Sequence, residues 1–226
     1  LSTGHPAFDT IKQKIPATLQ LATAAWIFAL LVGVPLGVLS ATRRGTFLDL
    51  GGRTFALFGQ ALPPFWLGIM LIILFAVQLG WLPTSTRGDW THYILPAITL
   101  GWLPAAGVLR MVRSSMLETL DSEYIRLARA KGVREYKVIW KHAFKNAAIA
   151  PLTVAALILA GFLTGTVVTE TVFAWPGLGR LVVIAINNND FPVMTGSVLV
   201  FTVLYVVTVF IIDILYAVLD PRIRIK

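Results

Sequence analysis

The residue types that most often carry chemistry are few in this sequence and lie far apart. The three histidines, His5, His92 and His142, have no His-Glu-x-x-His spacing, so no metal site is predicted. The sequence contains no Gly-x-x-x-x-Gly-Lys-Ser/Thr loop for binding phosphate and no Gly-x-Ser-x-Gly nucleophile motif. It therefore predicts no catalytic residue, no ATP hydrolysis by this chain and no cofactor bound to it.

Two acidic residues lie beside long apolar stretches. Asp213 lies six residues before Leu219, about 9 Å along a helix. A charge at such a depth costs on the order of 2.5–3.5 kcal/mol, so a pairing partner is expected. We favour a structural pair with an Arg or Tyr, and Tyr216 is the nearby polar residue; a direct role in a transport pathway is the alternative. Glu170 lies at the end of an apolar stretch, where it is either solvated or functional.

The elements that must position these residues are predicted by the distribution of charge. Hydrophobic residues make up 57% of the chain and charged residues only 13%, with a mean hydropathy of +0.78. A membrane-spanning helix needs roughly 20 apolar residues. Five windows of at least that length contain no Asp, Glu, Lys or Arg: 15–42, 54–86, 90–109, 146–169 and 191–212. The predicted fold is an all-α polytopic transmembrane helix bundle with five spans, forming one transmembrane domain over 1–226.

Lys and Arg predict the orientation of the bundle. The loops 43–53, 110–145 and 222–226 hold 15 of the 19 basic residues, which places them in the cytoplasm by the positive-inside rule. Because these residues flank spans, a nucleic-acid partner is not predicted. Five spans put the first residue outside, yet the sequence opens at Leu1 with no signal-peptide pattern. We therefore expect an N-terminally incomplete chain and six spans in the complete subunit.

The cytoplasmic stretch 110–145 has helical patterning. Asp121 and Ser122 are placed to cap a helix over about 123–131, and Gly132 is placed to end it in the left-handed conformation. A second helical pattern covers 136–144. The first helix is too short and polar to span a membrane. It could plug into a cleft on another protein or lie on anionic lipid headgroups, and the spacing alone does not separate these alternatives.

Aromatic residues mark the predicted outer ends of the spans. Trp81, Trp90, Tyr93 and Trp175 are interpreted as an interfacial aromatic belt. The apolar turn that begins at Trp175 predicts that the external segment 170–191 packs back into the external vestibule, since exposing it to solvent would be costly.

Three motifs in order resemble one transporter family. The run Glu-Tyr-Ile-Arg-Leu-Ala-Arg-Ala-Lys-Gly at 123–132, followed by His-Ala-Phe-Lys-Asn at 142–146, is similar to the cytoplasmic loop of permeases in the dipeptide/oligopeptide/nickel branch of ATP-binding-cassette importers. The segment 170–179 resembles the outer loop of that family, and 213–224 resembles its C-terminus. The chain departs from the broader family at Arg126, where an acidic residue is usual, and at Pro151, which lies one residue late.

The resemblance implies an inner-membrane permease subunit of a bacterium or archaeon, paired with a second permease as a heterodimer and embedded in membrane lipids. Two nucleotide-binding subunits would carry ATP and Mg, and an extracytoplasmic binding protein would deliver short peptides or related small molecules. The cytoplasmic loop 110–145 would hold the coupling helix, formed by Glu123, Tyr124, Arg126, Ala128, Arg129, Ala130, Lys131 and Gly132. The external loop 170–195 would supply gate residues, namely Glu170, Phe173, Trp175, Pro176 and Gly177.

Two other function classes lack the residues that they need. A secondary transporter driven by an ion gradient needs intramembrane carboxylates or histidines, and only Asp213 qualifies. A membrane enzyme needs a cluster of catalytic residues, and the sequence has none.

Overall fold

The computed structural model describes residues 7–219, apart from the side chains of 164–165 and 215–219, and these residues contain helices but no strands. The helices are α1 (Ala7–Thr42), α2 (Phe47–Ala61), α3 (Pro64–Leu71), α4 (Thr91–Leu120), α5 (Glu123–Ala130), α6 (Glu135–Lys137), α7 (Lys145–Ala147), α8 (Ile149–Gly165), α9 (Val167–Val172), α10 (Leu178–Asn187) and α11 (Phe191–Leu219). A π-helical segment, Ile72–Gln78, continues α3, and another, Val138–Phe144, joins α6 to α7. The predicted all-α class is confirmed.

The described helices include enough apolar length for a polytopic membrane protein. Three of them, Ala7–Thr42, Thr91–Leu120 and Phe191–Ile214, are each long and apolar enough to cross a membrane. Two broken pairs, Phe47–Ala61 with Pro64–Gln78 and Glu135–Ala147 with Ile149–Leu163, raise the number to five if each pair counts as one span. That upper number equals the five charge-free windows of the sequence.

The second predicted span is interrupted. The charge-free window 54–86 predicts one span, but α2 ends at Ala61 and α3 begins at Pro64. Leu62 and Pro63 between them have extended backbone, with ψ of 120° and 134°. Proline disfavours the helical conformation of the residue before it, and two consecutive prolines therefore interrupt the helix.

Other boundaries differ by several residues. The third span was expected to end at Leu109, but α4 continues to Leu120, so the first part of the cytoplasmic stretch 110–145 belongs to a long helix. The fourth was expected to reach Thr169, but α8 ends at Gly165 and α9 follows.

The chain divides into two compact units. Unit 1 contains 7–26, 63–101 and 156–219 of the described residues, and its core is built around the first half of α1. Trp175 packs there against Ala17 and Leu21, and Leu178 packs with Ile11. The external segment after α9 is therefore part of this core.

Unit 2 contains 27–62 and 102–155. Its helices approach closely at small residues, as membrane helices often do. A Cβ added at Gly37 of α1 would lie 2.7 Å from the Cβ of Val112 in α4, and one added at Gly33 would lie 2.8 Å from the carbonyl oxygen of Ala105. Around α2, Ala56 packs with Leu109.

Candidate coupling surface and external loop

Helix α5 is fixed to the rest of unit 2 by one face. The side chain of Ile125 is fully buried, and α5 packs against the π-helical segment Val138–Phe144. The hydroxyl of Tyr124 accepts a hydrogen bond of 3.0 Å from Nδ2 of Asn146. The predicted short helix is confirmed, and its bounds differ by one residue from 123–131.

The turn after α5 is stabilised by a backbone hydrogen bond and by an ion pair between side chains. Gly132 has a φ of +73°, the left-handed conformation predicted for it. The amide of Val133 donates to the carbonyl of Ala128 at 3.2 Å, which closes the helix end. Arg129 reaches across the turn to Glu135 with two hydrogen bonds of 2.8 and 3.2 Å. These contacts give α5 a defined direction relative to the next helix.

The start of α5 differs from the prediction. Ser122 was expected to cap the helix, but its Oγ donates to the carbonyl of Thr119 at 2.5 Å and makes no capping bond. The two-residue turn between α4 and α5 keeps this hydroxyl within reach of the last turn of α4, where a carbonyl lacks a helical partner.

The opposite face of α5 is open. Leu127 is 61% exposed, and Arg126 pairs with Glu123 of its own helix, at 2.8 Å between guanidinium and carboxylate. The eight predicted coupling residues all lie on α5 or in its C-terminal turn. Ile125 and Leu127 were not among them. Both are large apolar residues in an otherwise polar helix, and a spacing of two places them on opposite faces, which is the signal that could have singled them out as an anchor and an apolar contact.

The external segment is organised around a buried carboxylate. Glu170 is fully buried, and its Oε1 accepts a hydrogen bond of 2.7 Å from Oγ1 of Thr18 in α1. Its Oε2 accepts one of 3.0 Å from the backbone amide of Arg180 in α10. Thr18 also accepts from the amide of Leu178 at 2.8 Å. The expectation of a solvated Glu170 is therefore wrong: the carboxylate links α1, α9 and α10.

Trp175 completes this arrangement. Its indole Nε1 donates to the carbonyl of Ala17 at 2.9 Å, and Tyr93 packs edge-on against its ring at a centroid distance of 4.8 Å. Assignment of Trp175 to the aromatic belt is wrong, because the side chain is fully buried. Phe173 is also buried, and its carbonyl accepts from the amide of Thr86. Within the described residues this part of the segment is buried against α1, and its placement in an external vestibule stays a prediction.

Gly177 provides a test of this carboxylate link. A Cβ at this position would overlap the carboxylate of Glu170, because the side chain lies directly against the backbone there. Gly177→Ala should move Glu170 away from its donors and lower stability by about 1–3 kcal/mol. Thermal unfolding in detergent measures the effect. Gly107→Ala is the control, since nothing lies within 4 Å of a Cβ added at Gly107; equal unfolding midpoints for the two variants would contradict the link.

A second buried carboxylate, Asp49, lies in unit 2. Only 1% of the residue is exposed, and its oxygens accept from Ser40 Oγ at 2.6 Å, from Arg113 Nε at 2.8 Å and from Arg53 Nη2 at 2.6 Å. The amide of Gly45 donates to it at 3.1 Å. The cluster joins α1, α2 and α4.

Sequence reasoning missed Asp49. Its i,i+4 spacing to Arg53 is a signal of a helical ion pair. Ser40 and Arg113, however, come from other helices, and their approach depends on how these helices pack.

The structure describes the side chain of Asp213 but not that of Tyr216. Asp213 is exposed, with no hydrogen bond or ion pair among the residues that the structure describes. The side chain of Tyr216 and the segment 220–226, which contains Arg222 and Arg224, lie outside the described residues. Pairing of Asp213 stays a prediction.

His92 has a structural partner. Its Nδ1 lies 2.8 Å from Oδ1 of Asp89, which also accepts from the amide and hydroxyl of Thr91. The hydrogen bonds from Thr91 and then His92 hold the pKa of Asp89 below its ordinary value. No group of three metal-ligating side chains occurs between residues 7 and 219.

The fold is that of the membrane subunit of an ATP-binding-cassette (ABC) transporter. An inward-facing structure of the MetNI methionine ABC transporter matches with a TM-score of 0.75 and 20% identity, covering 96% of this chain and 99% of that one. An amino acid ABC transporter crystallised with histidines matches with a TM-score of 0.72 and 13% identity, covering 92% and 93%. The chain belongs to the family of binding-protein-dependent transport system inner membrane components, whose model matches residues 33–225.

Curated relatives of about 40% identity are named as permease proteins of particular transport systems. The oligopeptide transport system permease protein AppB of Bacillus subtilis is 40% identical, over 98% of this chain and 73% of its own length. The glutathione transport system permease protein GsiC of Salmonella choleraesuis is 41% identical, over 98% and 72%. The chain spans about three quarters of the length of these relatives. The predicted family resemblance is confirmed, and the alternative of a secondary transporter is wrong, since fold and family are those of ABC permeases.

Proposed function

We propose that this chain is a permease subunit of an ATP-driven importer and forms half of its translocation pathway. Two nucleotide-binding subunits supply ATP hydrolysis, with ATP and Mg bound on them. A second, different permease subunit forms the other half, and an extracytoplasmic protein delivers the substrate. The assembly resides in the inner membrane of a bacterium or archaeon.

The observation that carries this proposal is the geometry of α5. The helix is anchored by Ile125, presents Leu127 outward and ends in a fixed turn at Gly132. Transport driven by a partner requires a rigid contact that moves with the ATPase, and a short helix locked to the bundle is such a contact. Its pairing to Glu135 through Arg129 passes a displacement of α5 on to the following helices.

Short peptides and related small molecules are the proposed substrate class. Curated relatives of similar identity are named for oligopeptides, for di- and tripeptides and for glutathione. These ligands share amide bonds and charged ends. A pathway for them has to accept varied side chains, so selection rests with the binding protein.

The turn at Gly132 gives the test of coupling. Gly132→Val forces a β-branched residue into the left-handed region at a cost of roughly 1–2 kcal/mol and misdirects the helix that follows. We expect substrate-stimulated ATPase activity of the reconstituted importer to fall severalfold while the subunit still inserts. Charge reversal at Arg126 and Arg129 should weaken retention of the nucleotide-binding subunits in a pull-down.

Gly80→Val is the matched control. Gly80 also has a positive φ, of 65°, and nothing lies within 4 Å of a Cβ added there. It therefore carries the same backbone strain, but outside the cytoplasmic loop. Equal stimulation in the two variants, or full stimulation after the charge reversal, would reject the coupling role and favour a helix lying on lipid.

A further inference from the structure

Three arginines and an apolar floor form a pocket on the surface of unit 2. Its volume is about 390 Å³. It lies between α2 and α4 and is lined by Arg53, Ala56, Leu57, Leu109, Arg110 and Arg113. The pocket therefore combines an apolar floor with three guanidinium groups.

The pocket has an excess of positive charge. Arg53 and Arg113 both bind Asp49, the only carboxylate that contacts the three arginines in the described structure. Arg110 binds the neutral side chain of Gln60 through Nη1. Three cations and one anion leave two positive charges. Each guanidinium has five N–H groups, so donors remain for a further ligand.

The arginines also lie at a defined depth. Arg53 directly precedes the charge-free window 54–86, and Arg110 directly follows the window 90–109. Both therefore lie where an apolar span meets the headgroup region. In the turn of α2 that follows Arg53, the apolar side chains of Leu57 and Phe58 are more than half exposed.

We propose that this pocket binds an anionic phospholipid of the leaflet that faces the basic loops. The phosphate would lie between Arg53, Arg110 and Arg113, and an acyl chain would follow the apolar surface of α2. Basic pockets between membrane helices bind acidic headgroups in this way, with charge attraction at one end and hydrophobic contact at the other. An acidic segment of a partner protein would match the arginines but would leave the exposed apolar side chains of α2 uncovered.

Native mass spectrometry of the complete importer tests the proposal. The delipidated complex is titrated with phosphatidylglycerol and with phosphatidylcholine of the same acyl chains. Wild type should prefer phosphatidylglycerol, and Arg110→Gln should reduce this preference roughly fivefold, the change that corresponds to one basic residue near an anionic lipid. Arg110 is the residue to change because it takes no part in the Asp49 cluster.

Two variants serve as controls. Arg134→Gln removes the same charge from an exposed site elsewhere in the cytoplasmic loop, and Gln60→Leu removes the partner of Arg110 but leaves its charge; both should keep the wild-type preference. No preference in the wild-type complex, an equal loss with Arg134→Gln, or displacement of the lipid by excess sn-glycerol 3-phosphate would overturn the proposal. Displacement by sn-glycerol 3-phosphate would indicate a site for a small anion, and the absence of a lipid preference in the wild-type complex would indicate a surface covered by the second permease.

Discussion

Replacing Asp49 by Ala should destabilise the protein by about 3–5 kcal/mol, more than Gly177→Ala. The carboxylate is 1% exposed and is the common acceptor for Arg53 and Arg113. Its removal leaves Arg113, whose side chain is 20% exposed, with an unpaired charge inside the packing of α1, α2 and α4. The measurement is the fraction of detergent-purified subunit that stays monodisperse after heating, as a function of temperature.

A double variant separates charge pairing from lost packing. Asp49→Leu with Arg113→Met removes both charges, and replacing a whole buried pair by apolar residues is often close to neutral. The double variant should therefore be more stable than Asp49→Leu alone. Asp121→Ala, at an exposed aspartate of the cytoplasmic loop, should leave the midpoint unchanged. Additive losses in the double variant would contradict a role in pairing.

Leu127→Asp should detach the proposed ATPase partner. Leu127 is the exposed apolar side chain on α5, opposite the buried Ile125. Central contacts of this kind contribute 2 kcal/mol or more to binding, so a carboxylate there should weaken retention of the nucleotide-binding subunits roughly 30-fold. Substrate-stimulated ATPase activity of the reconstituted importer should be lost in parallel.

A conservative change at the same position is the control. Leu127→Met keeps an apolar contact of similar volume and should retain stimulation. Tyr124→Phe removes the hydrogen bond from Asn146 but keeps the ring, and it should have an intermediate effect through the seating of α5. Normal retention in the Leu127→Asp variant would indicate that this face of α5 has another occupant.

The features that could be predicted from the sequence are those set by residues close together in the chain. The short helix α5 and the left-handed Gly132 were predictable because capping and turn preferences act within a few residues. The predicted cap at Ser122 is wrong because its hydroxyl donates to a carbonyl in the last turn of α4, an acceptor that capping preferences do not take into account. The helix break before Pro64 lies within a continuous apolar window, and the two consecutive prolines carry the sequence signal for it.

The buried carboxylates could not be predicted, because their partners are distant in sequence. Glu170 binds Thr18, 152 positions away, and Asp49 binds Arg113, 64 positions away. Charge patterning placed Glu170 at the end of a span and Asp49 in a basic loop, where solvation is the ordinary outcome. Only the packing of α1 against α9 and α10 in one unit, and against α2 and α4 in the other, buries these groups.

Photochemical cross-linking from position 127 tests most directly whether α5 contacts an ATPase. The chain contains no cysteine, so Leu127→Cys places a photoreactive maleimide at one site. In the assembled importer, irradiation should join this subunit to a nucleotide-binding subunit, with the adduct identified by mass spectrometry. The same label on Trp90→Cys, an exposed residue outside the cytoplasmic loop, should give no such adduct. Cross-links from position 127 to lipid alone, in a complex that still couples ATP hydrolysis to substrate, would contradict the coupling role of α5.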